Sequence, residues 1–166
     1  MSRLLVRVGA VAAGVLLLAG CGDRPGYDRA AVESFLVTNQ ASSYGSLTVG
    51  KATCPKDAAV KEGMTLRCTL TVDGTAVPYK VRLTHVHGSK VDVSARLDGV
   101  VVPSSAVRDF VRTSLPKASK GADVDCGHSV IVAKVGQTLD CSLVLGAQTT
   151  PLKLTVKDAA GTVEVA

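Results

Sequence analysis

Apolar residues recur along this chain in three rhythms. Near the start, Val8 to Leu18 form an unbroken run of aliphatic and small side chains behind Arg3 and Arg7. Further on, Val32, Phe35, Leu36 and Asn39 fall at helical spacing behind Asp28, a residue type that caps helix N-termini, and the pattern stops at Ser42-Ser43-Tyr44-Gly45. The third rhythm is strict alternation. Met64, Leu66, Cys68, Leu70 and Val72 point one way while Thr65, Arg67, Thr69 and Thr71 point the other, the period-two signature of a half-buried strand. Leu47 and Val49 alternate in a strand leading to Cys54, and Asp73-Gly74 marks a hairpin turn. Tyr79, Val81 and Leu83 make a third strand, and Gly88 turns the chain into Val91, Val93, Ala95 and Leu97.

The helical and alternating rhythms then occur a second time. Gly63-Met64-Thr65-Leu66-Arg67-Cys68-Thr69-Leu70 returns as Gly136-Gln137-Thr138-Leu139-Asp140-Cys141-Ser142-Leu143, 73 positions on. Pro78 matches Pro151 and Gly88 matches Gly161 at the same offset. Val32-x-x-Phe35 matches Val107-x-x-Phe110 at 75, and Cys54 matches Cys126 at 72, small drifts of the kind loops absorb. In the second copy Ser104 or Ser105 would cap a helix whose apolar stripe is Val107, Phe110, Val111 and Leu115, with Pro116 as its stop. Strands follow at Leu139 to Leu145, Leu152 to Val156 and Val163 to Val165.

The chain therefore reads as an α+β tandem repeat. Each copy is one helix packed on a four-stranded antiparallel sheet, with repeat 1 over residues 27–98 and repeat 2 over 99–166. Asp98 to Pro103 serve as a short linker. Four cysteines allow three connectivities, and the duplication selects one pair per copy, Cys54 with Cys68 and Cys126 with Cys141. Each pair closes a loop of about 15 residues, worth roughly 3 kcal/mol in the chain-entropy model. A four-thiolate zinc site is the rival, and the chain lacks the Cys-x-x-Cys pairs such sites usually present. Cys68 falls on the apolar face of its strand, so its bridge is expected to be buried and structural.

The first rhythm has a different meaning. A positive start, an apolar run too short for a membrane span and small residues ahead of Cys21 are the layout of an export signal. Leu18-Ala19-Gly20-Cys21 resembles the bacterial lipobox, which implies a signal peptide over 1–20, cleavage before Cys21 and lipidation of its sulfur, in a form such as palmitate. Residues 21–26 would be a short tether. From Gly22 to Tyr27 it spans at most about 20 Å when fully extended. The expected location is the cell membrane, lipid-anchored, on its extracytoplasmic face.

Composition changes this picture in two ways. The first twenty residues hold two of the 19 basic residues and none of the 14 acidic ones, so the rest of the chain is only mildly positive. Lys51, Lys56, Lys61, Lys117 and Lys120 read as scattered charges rather than a stripe, so nucleic acid is not an expected partner, while anionic lipid headgroups suit the anchor. Three tyrosines, two phenylalanines and no tryptophan leave the core to Val, Leu and Ala, which limits what each small unit can bury. The two bridges would compensate.

Candidate chemistry is sparse. His85 and His87, two apart on a strand, share a face as strand-borne metal ligands do, but a third ligand is needed and His128 lies in the other copy. Their face continues Tyr79, Val81 and Leu83, and the second copy has Ala159 and Ala160 near that turn, so the pair reads more simply as imidazoles at the open end of the sheet. No metal or other cofactor is assigned. Asp123 and Asp125, beside Lys120, read as a solvated turn. Neither a Gly-x-Ser-x-Gly elbow nor a Gly-rich phosphate loop is present, and paired cysteines leave no free thiol. The chain is not expected to be an enzyme.

The apolar run ending in Cys21, the helix, Cys54-Pro55, Gly63 and Cys68 with its alternating valines together resemble the actinobacterial domain-of-unknown-function 4333 (DUF4333) family, in two tandem copies. Gly127 replaces the Cys-Pro proline in the second. The resemblance implies a small exported or lipid-anchored envelope domain without an assigned activity. The leading expectation is a non-catalytic interaction module with a membrane-proximal protein or lipid as partner. Two alternatives stand beside it. One is a secreted inhibitor, since the tandem helix-and-sheet plan is similar in architecture to beta-lactamase inhibitory protein. The other is a small-ligand or metal carrier resting on His85 and His87.

Overall fold

The computed structural model describes residues 27–56, 61–87, 90–117 and 119–166. The signal segment, Cys21, the tether over 21–26 and the turn at Gly88 lie outside them.

Asp28 caps the first helix, α1 (Arg29–Gln40), its carboxylate accepting from the Ala31 amide at 3.0 Å. Val32 and Leu36 are buried beneath it, whereas Phe35 is only half-buried and stays out of the core. A 3₁₀ turn, Ala41–Tyr44, then leads to β1 (Val49–Thr53), β2 (Thr65–Val72), β3 (Thr75–His87) and β4 (Lys90–Leu97). These form an antiparallel sheet in the order β1-β2-β3-β4. Its alternation is the one the residue pattern demands, with Leu66, Cys68, Leu70 and Val72 buried on β2 and Val77, Tyr79, Val81 and Leu83 on β3. At the hairpin, Asp73 and Gly74 both take positive φ (45° and 77°), the left-handed pair a two-residue turn requires.

The second lobe follows the same plan with α2 (Ser104–Ser114) and a sheet of β6 (Asp123–Asp125), β8 (Thr138–Leu145), β9 (Gln148–Val156) and β10 (Val163–Val165), in the order β10-β9-β8-β6. The duplication is visible in the hydrogen bonding itself. Thr65 faces Arg82 and Val72 faces Thr75, while Thr138 faces Thr155 and Leu145 faces Gln148, each pair displaced by 73 positions. The Gly63 amide donates to the Leu83 carbonyl at 2.8 Å and the Gly136 amide to that of Val156 at 2.7 Å. Both glycines hold φ near +80° (79° and 81°). Cys54–Cys68 and Cys126–Cys141 are both bonded, each joining the residue just past the lobe's first sheet strand to the middle of the next.

Three local expectations need correction. Asp98 to Pro103 are not all linker, because β5 (Val100–Pro103) pairs antiparallel with β7 (Val130–Ala133) in a separate two-stranded ribbon. Neither Ser104 nor Ser105 caps α2. Pro103 holds the N-cap position, and the Ser104 amide and hydroxyl donate to the carbonyls of Ser129 and His128, prolonging the ribbon's ladder into the first helical turn. Asp123 and Asp125 flank the buried Val124 in a strand, not a turn.

The ribbon joins the lobes. Val100, Val102, Ile131 and Ala133 pack into the second core, while Val101, Val130 and Val132 pack against the first. Register explains this division, since Val100 faces Ala133, Val101 faces Val132 and Val102 faces Ile131. Successive pairs point to opposite faces. A short, fully apolar ribbon is thus buried on both sides.

Candidate functional site

The polar groups inside the first lobe are engaged with one another. The hydroxyls of Tyr44 and Tyr79 lie 2.6 Å apart, and the Tyr79 hydroxyl donates to Gln40 Oε1 at 3.2 Å. Burial raises both phenol pKa values above the ordinary tyrosine range. Tyr27 is buried as well, its hydroxyl donating to the Pro55 carbonyl. All three tyrosines are therefore spent on the core.

The sequence candidates do not converge. His85 and His87 lie at the end of β3, opposite Asp92 and Lys90, beyond a register shift between Leu83 and His85 that interrupts the regular pairing. Their side chains are outside the described part of the chain. His128 is exposed in the other lobe, its carbonyl engaged by Ser104. Among the described residues, no three His, Cys, Asp or Glu side chains gather as a metal site would require.

Each carboxylate with a depressed pKa has a local cause. Asp123 is held low by the Val124 amide and then by Arg108, whose Nε lies 2.9 Å from it. Asp125 accepts from the Gly127 amide at 2.7 Å, so the two aspartates serve separate partners. Asp158 is lowered by Thr162 and by neighbouring amides in the turn before β10. Asp98 is lowered by Lys80, whose Nζ lies 2.7 Å away.

That last pair borders an open depression at the seam between the lobes, where Lys80, Arg96 and Asp98 of the first lobe meet Lys134 and Val135 of the second. Val135 is among the most exposed large apolar residues described, at 55 %. A second depression, at the end of α2, is lined by Arg108, Arg112, Ser119 and Asp123. In the second, the Ser119 hydroxyl donates to the Leu115 carbonyl at 2.9 Å and Asp123 is held by Arg108, so the two serve separate partners. Register aligns basic residues other than the lysines read as scattered. Arg67 faces Lys80, and Lys80 faces Arg96. A signal was available, because the two-residue turn at Asp73-Gly74 already places Arg67 opposite Lys80.

The family described as Domain of unknown function (DUF4333) has a model that matches residues 10–88. The chain carries a DUF4333-like domain. The match ends just past β3 and covers somewhat less than half of the chain. The second lobe enters through the internal repeat, as a copy of the same helix-and-sheet plan with its own disulfide. No curated protein and no solved structure matches the chain.

Proposed function

We propose that this protein is an exported lipoprotein, held by lipid on Cys21 at the extracytoplasmic face of the cell membrane, whose two DUF4333-like lobes form a non-catalytic binding module. The observation that carries this reading is the use of cysteine. Of five in the sequence, four are joined one pair per lobe, and the fifth is the residue in the lipobox-like Leu18-Ala19-Gly20-Cys21. Disulfides persist in oxidising compartments outside the cytosol, which accords with export. The non-catalytic role is supported by Asp98, Asp123 and Asp158, each held by a local ion pair or turn. The inhibitor alternative draws little from the lobes, because binding hot spots favour aromatic anchors and the tyrosines here are buried.

The short tether favours a membrane-proximal protein or lipid as partner. Metabolic labelling with a fatty acid, followed by membrane fractionation, tests the anchor. Wild type is expected to be labelled and membrane-bound, and Cys21→Ser unlabelled and either released or left as an unprocessed precursor. An unlabelled, freely secreted wild type overturns the reading.

A further inference from the structure

The two lobes share a fold and a register, yet treat the outer face of their sheets in opposite ways. In the first lobe one cross-strand row reads Arg67, Lys80, Arg96, and the next reads Thr65, Arg82, Ser94. All six side chains are exposed. In the second lobe the corresponding rows read Asp140, Lys153, Ala166 and Thr138, Thr155, Glu164. There Lys153 has an acidic neighbour, Asp140, at 3.6 Å, and Glu164 pairs with Lys157 at 2.9 Å.

Like charges directly opposite one another destabilise a sheet. The second lobe shows that the fold accepts a charge-balanced row at these positions, so packing does not require the cationic one. Four cations stand in the first lobe's two rows, moderated by Asp98 on Lys80 and by Asp92 further along β4. At the seam Lys134 adds another positive charge and Val135 an exposed apolar edge.

We infer that the outer face of the β2-β3-β4 sheet, centred on Arg67, Lys80, Arg82 and Arg96, is a docking surface for an anionic lipid bilayer. Charge complementarity to acidic headgroups is the first argument, since each basic residue near such a surface contributes to binding. Position is the second, and it rests on the anchored reading above. Tyr27 is tied to Pro55, one residue beyond the Cys54 bridge to Cys68, so the described chain begins level with Cys68, on the inner side of the sheet whose outer side carries Arg67. An anchor six residues further back, at most about 20 Å away, holds the first lobe close enough to the headgroups for the outer face of its sheet to turn onto them.

The test uses residues 22–166, which contain both cores and both disulfides but not Cys21, so its outcome is independent of lipidation. Co-sedimentation is measured with vesicles of phosphatidylcholine alone and with phosphatidylglycerol added. Binding is expected only to the anionic vesicles and should weaken with salt. Arg67→Asp with Arg96→Ala, which copies the second lobe's row, should weaken it about tenfold or more. Lys117→Asp with Lys120→Ala makes the same change in net charge on an exposed turn of the second lobe and should lose much less. Thermal unfolding of the row variant should occur at an unchanged or higher temperature. Arg67→Gln with Arg96→Gln provides a milder pair and should weaken binding in the same direction. Equal losses from the row and turn variants, or undiminished binding by the row variants, overturn the inference. So does binding to soluble polyphosphate without binding to anionic vesicles, which would assign the row to an envelope polymer.

Discussion

The Tyr44 and Tyr79 hydroxyls meet at 2.6 Å inside the first lobe, and the position equivalent to Tyr79 in the second lobe is Leu152. One copy of the repeat therefore closes its core with a hydrogen-bonded phenol pair, the other with aliphatic packing. The difference has a consequence in alkaline solution. Both phenol pKa values are raised above 10.0 in the folded lobe, chiefly by burial. Above pH 10 the unfolded chain gives up these protons before the folded one, so stability is full below that pH and falls as pH climbs through the raised values.

The first lobe should therefore lose stability in alkali before the second. Chemical unfolding at rising pH, followed by tyrosinate absorbance and by protection in each lobe, checks this order. Tyr79→Phe should cost about 1 kcal/mol at neutral pH, the usual worth of one hydrogen bond, and should make the alkaline decline shallower. Simultaneous loss of both lobes, unchanged by the variant, would contradict this account.

The bridges should act locally. Cys54–Cys68 and Cys126–Cys141 close loops with separations of 14 and 15 residues, each worth roughly 3 kcal/mol by chain entropy. Replacing both cysteines of one pair by serine should lower the protection of that lobe far more than that of the other. Hydrogen exchange resolved by lobe is the measurement, with non-reducing peptide mapping to confirm that the remaining pair is intact.

Gly161 tests the approach of the last turn to the ribbon. Its φ is +84°, and a Cβ there would lie 2.9 Å from the Val101 carbonyl oxygen. Gly127 has φ +79° with open space around it. Gly127→Ala should cost only the left-handed conformation, about 1–2 kcal/mol. Gly161→Ala should cost distinctly more, and equal losses in denaturant unfolding would mean that the turn is free to move off β5.

Val130 lies on β7 in the second half of the chain yet is fully buried in the first core. Val130→Ala should destabilise the first lobe by about 2 kcal/mol, from the lost apolar burial and the cavity left behind. Val163→Ala, buried in the second core, should act on the second lobe. Lobe-resolved hydrogen exchange distinguishes the two outcomes.

Local signals carried most of the architecture. The hairpin at Asp73-Gly74, the alternation on β2 and the helical spacing of Val32 with Leu36 all arise from neighbours in sequence, and the repeat doubled each signal. The ribbon was opaque for the opposite reason. Val100–Pro103 becomes a strand only by pairing with Val130–Ala133 about thirty residues away, and nothing local distinguishes it from a linker. Ser104 misled in the same way, because a partner across the ribbon claims its hydroxyl. Phe35 fits the helical stripe by spacing, but Val32 and Leu36 already fill the inward face. Arg67, Lys80 and Arg96 are ordinary polar positions in one dimension and become a row only once register aligns them across three strands.

The ribbon also bears on the history of the repeat. A unit that arose by copying could in principle be lost again, leaving one lobe to stand alone. Here excision would leave a scar on either side. The first lobe would lose the cover of Val101, Val130 and Val132, and the second cannot keep Val100 and Val102 without also baring Val101. What began as two interchangeable copies has become a single inheritable unit, with β5 and β7 as the clasp that prevents its return to one.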